Sequence, residues 1–162
     1  MFSIELKVIS EKNIIASATD VADAMNKIFN YPSDVVAINI SDHLVELPLC
    51  YVFSDLFEDF INMINDVISN VEGSGIYGFC QNDIFDSDWK LNWTKNGELK
   101  VEFEWRYMKG VELLTILPSS IKIRKKHFIN EWKKILTEIK IELSKVRFEC
   151  DEEYLEITNF VA

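Results

Sequence analysis

The stretch Trp89-Lys90-Leu91-Asn92-Trp93-Thr94-Lys95-Asn96-Gly97-Glu98-Leu99-Lys100-Val101-Glu102-Phe103-Glu104-Trp105-Arg106-Tyr107 decides the fold. Apolar residues fall at every second position on both sides of Asn96-Gly97, the period of a strand with one buried face. Parity then selects the turn. A two-residue Asn-Gly loop sets Trp93 opposite Lys100 and throws the two apolar rows onto opposite faces. A three-residue loop, Lys95-Asn96-Gly97, sets Trp93 against Leu99, Leu91 against Val101 and Trp89 against Phe103. The sequence therefore predicts a three-residue hairpin with Gly97 left-handed in a bulge. Its apolar row continues through Trp105 to Tyr107, and its outer face shows Glu102 and Glu104 beside the acidic approach Asp83, Asp86 and Asp88.

Working outward, residues 111–117 and 121–123 read as a further strand pair, or as one strand interrupted at Pro118. Phe128, Ile129, Trp132, Ile135, Leu136, Ile139, Leu143 and Val146 then recur at helical spacing, with lysines on the wet side. Residues 148–150 and 154–157 read as terminal strand pieces. Upstream of the hairpin, Phe53, Leu56, Phe57, Phe60, Ile61, Ile64, Val67, Ile68 and Val71 mark a long helix after Pro48, spanning about residues 50–71, with Gly73 and Gly75 as its exit. Its polar stripe is Asp55, Glu58, Asp59, Asn62, Asn65, Asp66 and Ser69. Residues 35–40 are rich in β-branched side chains and predict a strand. Before them a short helix bearing Val21, Ala24, Met25, Ile28 and Phe29, capped by Ser17 or Thr19, ends at Tyr31-Pro32. Alternation from Phe2 to Val8 predicts the first strand. The expected fold class is α+β: a mostly antiparallel sheet with two long helices and one short helix packed on it.

The 162 residues fit one domain, 1–162, and a globule of that size buries roughly 68–70% of its unfolded surface. Eleven Phe, five Tyr and four Trp furnish a core, and no linker or repeat divides the chain. Charge is the more telling property. Residues 28 to 89 hold eleven Asp or Glu and not one Lys or Arg, while the whole chain carries −10. Residues 119–147 run the other way, with nine bases against three acids. Nucleic acid would have to dock on that one basic segment against the repulsion of the rest, so a nucleic-acid partner is not expected. A focused negative field instead raises the encounter rate of a basic protein by one to three orders of magnitude.

Chemistry is sparsely signalled. The sequence lacks GxSxG, GxxxxGKS/T and GxGxxG patterns, and Gly73-Ser74-Gly75 with Gly78 lacks the Lys of a phosphate loop. Two histidines, His43 and His127, and three scattered cysteines, Cys50, Cys80 and Cys150, have no zinc-like spacing, so neither metal nor cofactor is expected. Asp42 beside His43 is not a dyad, because neighbours on a strand point to opposite faces. Asp83, Asp86 and Asp88 lack the Gly and distal Glu of a calcium loop. The odd, unpaired cysteines and the absence of a basic-then-apolar leader pattern predict a cytoplasmic protein. No apolar run reaches the ~20 residues of a membrane span.

An acidic, cofactor-free α+β chain with an acidic helix over residues 50–71, a Trp-rich hairpin over residues 89–108 and the helix Phe128-Ile129-Asn130-Glu131-Trp132-Lys133-Lys134 resembles the immunity proteins of bacterial toxin systems, including contact-dependent growth inhibition. The resemblance implies one cognate partner, a toxin domain whose active site or substrate groove is occluded. A nuclease toxin has a basic groove, and carboxylates can occupy the place of its phosphates. The expected docking acids are Asp55, Glu58, Asp59, Asp83, Asp86, Asp88, Glu102 and Glu104. Two other classes stay open: a hydrolase with paired carboxylates in a cleft lined by Trp89, Trp93 and Trp105, and an adaptor that self-associates through its charge dipole.

Overall fold

The computed structural model describes residues 1–9 and 17–148. In chain order the elements are β1 (Phe2–Lys7), β2 (Ser17–Ala18), α1 (Val21–Ile28), β3 (Val35–Ile40), β4 (His43–Pro48), α2 (Phe57–Ser69), β5 (Gly73–Gln81), β6 (Phe85–Trp93), β7 (Glu98–Met108), β8 (Ser120–Arg124), α3 (Lys125–Leu143) and β9 (Arg147–Phe148). They build the sheets β1-β3-β4 and β5-β6-β7-β8, the latter antiparallel throughout, and a short parallel pair β2-β9. The fold is α+β with mostly antiparallel sheets. The chain divides into two compact units, one of residues 1–3, 39–45 and 56–131, the other of residues 4–38, 46–55 and 132 onward.

In the first unit the β6–β7 hairpin has the register that parity demands: Trp93 faces Leu99, Leu91 faces Val101 and Trp89 faces Phe103. Gly97 sits at φ 79° and donates to the Thr94 carbonyl at 2.9 Å, closing the three-residue loop. One further irregularity separates Asp86 from Ser87, which face Tyr107 and Trp105, so Arg106 is an extra, bulged residue. The bulge resets parity. Tyr107, expected in the apolar row, is 46% exposed, and Met108 turns inward instead. β8 extends the sheet through residues 120–124, but residues 111–117 form no strand: a 3-10 turn at Leu114–Ile116 lies there. The donorless Pro118 cannot extend a ladder, and its carbonyl is taken by Trp105 Nε1 at 2.8 Å.

α2 lies on the inner face of this sheet. Phe60 stacks on Phe79 at 4.2 Å and meets Trp89 edge-on at 5.9 Å, contacts worth about 0.5–1.5 kcal/mol each beyond the area they bury. The helix is shorter than its apolar periodicity suggested, beginning at Phe57 and ending at Ser69. Glycine does not end it. Asn70 caps it, donating from Nδ2 to the Asp66 carbonyl, while its own carbonyl accepts from Trp93 Nε1 and Lys125 Nζ. Gly73 and Gly75 belong to β5, where a Cβ would lie 2.7 Å from the Trp93 ring and 2.5 Å from the Tyr77 hydroxyl. At the start of α3, Phe128 stacks on Phe2 at 5.5 Å.

The second unit packs α1 on the chain before α2. Asp20, not Ser17 or Thr19, caps α1, accepting from Asp23 N at 2.7 Å, while Asp23 in turn accepts from Thr19 N. Residues Leu49–Phe53 make a wide, non-α turn in which Cys50 is extended and Tyr51 is left-handed at φ 68°. Asn26 of α1 holds that turn, its Oδ1 accepting from Tyr51 N and Ser54 Oγ. This anchoring, 25 residues away in sequence, explains why the helix cannot start at residue 50. Asp34 is fully buried; its carboxylate accepts from Ile9 N and Asn30 N, and its carbonyl from Leu49 N. Trp132, Ile135, Leu136, Ile139 and Leu143 are buried in α3 as the periodicity requires. Of the terminal strand pieces, Phe148 lies in β9; residues 149–150 and 154–157 lie outside the described residues.

Candidate partner-binding surface

Alternation sends Asp86, Asp88, Glu102 and Glu104 to the outer face of the β5-β6-β7-β8 sheet, opposite the face that Trp89 and Phe103 bury. There the bulged Arg106 reaches back across the hairpin. Its Nε donates to Asp86 Oδ1 at 2.9 Å, and its two terminal nitrogens clasp both oxygens of Asp88 at 2.8 Å each. Glu104 lies 3.7 Å from the same guanidinium. The paired hydrogen bonds hold the Asp88 carboxyl below its ordinary range and raise the Arg106 pKa. Farther along β7, Lys100 Nζ donates to Glu102 at 2.6 Å with Lys90 at 3.9 Å, which lowers the Glu102 carboxyl too.

Four of the eight expected docking acids thus have cations within the protein, but only in part: one guanidinium is shared by Asp86, Asp88 and Glu104, and Lys90 and Lys100 meet Glu102. The base-free run from residue 28 to 89 receives Arg106, which lies past its end and returns by antiparallel pairing to Asp86 and Asp88, and Lys7, which meets Glu46 at 3.1 Å; Lys90 and Lys100 meet Glu102, outside the run. Asp83 lies in the β5–β6 turn at φ 63°, exposed. Asp55 precedes α2 and belongs to the other unit. Glu58 and Asp59 occupy the first turn of α2, both exposed, and among the described residues no Lys or Arg comes within 4.0 Å of either. Their position beside the helix's unpaired N–H groups is favourable for carboxylates. One turn farther along lie Asn62, Asn65 and Asp66, also exposed.

The eight residues therefore do not form one surface. α2 covers the inner side of the sheet and the hairpin carboxylates point from the outer side, so the sheet stands between the two acidic sets. Sequence reading missed Tyr77 of β5, which ties the sheet to the helix acids: its hydroxyl donates to Asp66 Oδ2 at 2.9 Å. Burial and the neighbouring carboxylate raise the Tyr77 pKa, so the phenol stays a donor. Its odd-numbered place in the alternation Gly75, Tyr77, Phe79 was the available signal.

The tryptophan cleft is not formed. Trp89 is fully buried, Trp93 nearly so, and Phe103 stacks on Trp105 at 5.1 Å, all turned away from the carboxylates. The opposite pole of the outer face is basic. Lys100, Lys122 and Arg124, with Asn92, Thr94 and Glu98, line an open concavity of about 390 Å³. His43 donates from Nδ1 to the Ser41 carbonyl at 3.0 Å, and His127 from Nε2 to the Phe2 carbonyl at 2.7 Å. Among the described residues no helix is long and apolar enough to cross a membrane. Compared with protein-family models, curated proteins and solved structures, the chain matches none.

Proposed function

We propose that the chain is a bacterial immunity protein that binds one cognate toxin domain in the cytoplasm and blocks its active site or substrate groove. The observation that carries this reading is the solvent face of α2, where Glu58 and Asp59 are exposed with no Lys or Arg in reach among the described residues and Asp66 continues the stripe. A toxin whose groove binds phosphates offers the complementary sign. The hairpin acids, tied to Arg106 and Lys100, contribute less to that field than their number suggests, so the helix is the docking face.

Expressing the chain with the product of the neighbouring reading frame tests the proposal. A complex should co-purify, and toxin activity should be lost in it. Replacing Glu58→Lys and Asp59→Lys together should slow association by about tenfold or more at low salt and flatten its salt dependence, as expected for charges that steer encounter. Absence of any complex, or an association rate indifferent to the double replacement, overturns the reading.

A further inference from the structure

β5 is the end strand of its sheet and, among the described residues, is hydrogen bonded to β6 alone. Alternate residues of such a strand turn N–H and C=O groups outward, an open template for another strand, and protein edges are ordinarily blunted by Lys, Pro, charge or a bulge. Gly73-Ser74-Gly75-Ile76-Tyr77-Gly78-Phe79-Cys80-Gln81 contains no charged residue and no Pro. Its pairing with β6 runs without a shift from Gly73 opposite Trp93 to Gln81 opposite Phe85, and Ile76 is 69% exposed.

Gly78 adds a direction. Glycine within a strand weakens it and often marks close approach of another backbone or a ligand. Gly73 and Gly75 are accounted for by the Trp93 and Tyr77 rings, but a Cβ on Gly78 would meet only Asp88 Oδ1, at 3.1 Å. The missing side chain leaves the Asp88 carboxylate open toward the free side of the strand. On the other face the neighbouring residue, Tyr77, carries Asp66 on its hydroxyl. Two consecutive residues of β5 therefore present one carboxylate on each face, and consecutive residues of an added strand likewise point to opposite faces.

We propose that β5 is a strand-addition site for an extended segment of the partner that carries two adjacent basic residues, one meeting Asp66 and the other Asp88. This rests on the immunity reading and specifies its contact. A second copy of the chain is a poor occupant: β5 brings no cation, and self-pairing would set Asp66 and Asp88 of both copies near each other. Asp88 keeps acceptor capacity beyond its two bonds to Arg106, since each carboxylate oxygen has two lone pairs.

The test titrates the full chain, followed by amide NMR, with a capped nine-residue peptide of alternating Thr and Val bearing Lys-Arg at its centre, and with its Glu-Glu counterpart. Shift changes should run along residues 73–81, and the Glu-Glu peptide should bind at least about tenfold more weakly. Gly78→Val, which suits a strand but covers Asp88, and Asp66→Asn should each weaken the Lys-Arg peptide by about threefold, the size of an opposite-charge cross-strand contact. Equal binding of both peptides, no binding at millimolar concentration, or β5-mediated dimers in the free protein overturns strand addition. Shifts centred on Glu58 and Asp59 overturn it while leaving the acidic-helix reading standing. Addition along β5 combined with a toxin association indifferent to Glu58→Lys and Asp59→Lys does the reverse.

Discussion

The solvent face of α2 and the carboxylates Asp86 and Asp88 of the β6–β7 hairpin both belong to the base-free run of residues 28 to 89, and they fold into opposite electrostatic states. On the helix, neighbours are three and four residues apart, so a segment without Lys or Arg cannot supply its own counter-ions. On the hairpin, neighbours are 18 and 20 residues apart, and Arg106 arrives from beyond the run to bind Asp88 and Asp86. Charge that is uncompensated along the chain is uncompensated in space only where contacts are local. The helix keeps its field; the hairpin spends most of its own internally.

The contrast depends on the sheet that separates the two faces, and the severest way to break it is Trp89→Ala. Trp89 is fully buried between Phe60, Phe79 and Phe103. The cavity should cost about 3–5 kcal/mol in denaturant unfolding, enough to unfold many domains of this size. Gly97→Ala strikes the register more gently. Nothing lies within 4 Å of the added methyl, so the loss comes from φ 79° alone, about 1–2 kcal/mol, with the hairpin amide pattern retained in NMR.

Arg106→Gln sharpens the comparison by giving the hairpin the helix's condition. The Asp88 carboxyl, which titrates below its ordinary 3.8 beside the guanidinium, should return to that value or rise above it by carbon-detected NMR. The sign for stability follows from the direction. A carboxyl depressed in the folded state contributes stability that is fully present above about pH 4 and is lost as pH falls through its folded value. Native protein should therefore show a small acid-side loss that Arg106→Gln lacks. The size stays small because the pair is solvated and salt-screened. Equal acid profiles for the two proteins would mean that Arg106 does not neutralise the face.

How far the sequence could be read follows the same line. The hairpin register was legible because a period of two admits only one loop length that keeps Trp89, Leu91 and Trp93 on one face with Leu99, Val101 and Phe103. The buried stripe of α3 was legible for the equivalent helical reason. The start of α2 was not, because the apolar spacing of Phe53, Leu56 and Phe57 continues through a turn that Asn26 fixes from a distant helix. Gly73 and Gly75 were mistaken for a helix exit because the reason for them, the Trp93 and Tyr77 rings, is a contact rather than a pattern. At the site, exposure of Glu58 and Asp59 was readable from the helix period. The capture of Asp86 and Asp88 was not, since it needs a bulge that places one extra residue on β7.

Asp34 ties two distant stretches of the second unit to its own turn, its side chain and carbonyl accepting from Ile9 and Leu49 as well as from the nearby Asn30. Any replacement that offers fewer than two acceptor oxygens leaves the Ile9 or Asn30 amide without this partner, so the position has little room to vary. The solvated residues of α2, Glu58, Asp59, Asn62 and Asn65, have a great deal. The molecule thus combines a pinned frame with a solvated helix face whose side chains can be exchanged without disturbing a packed contact.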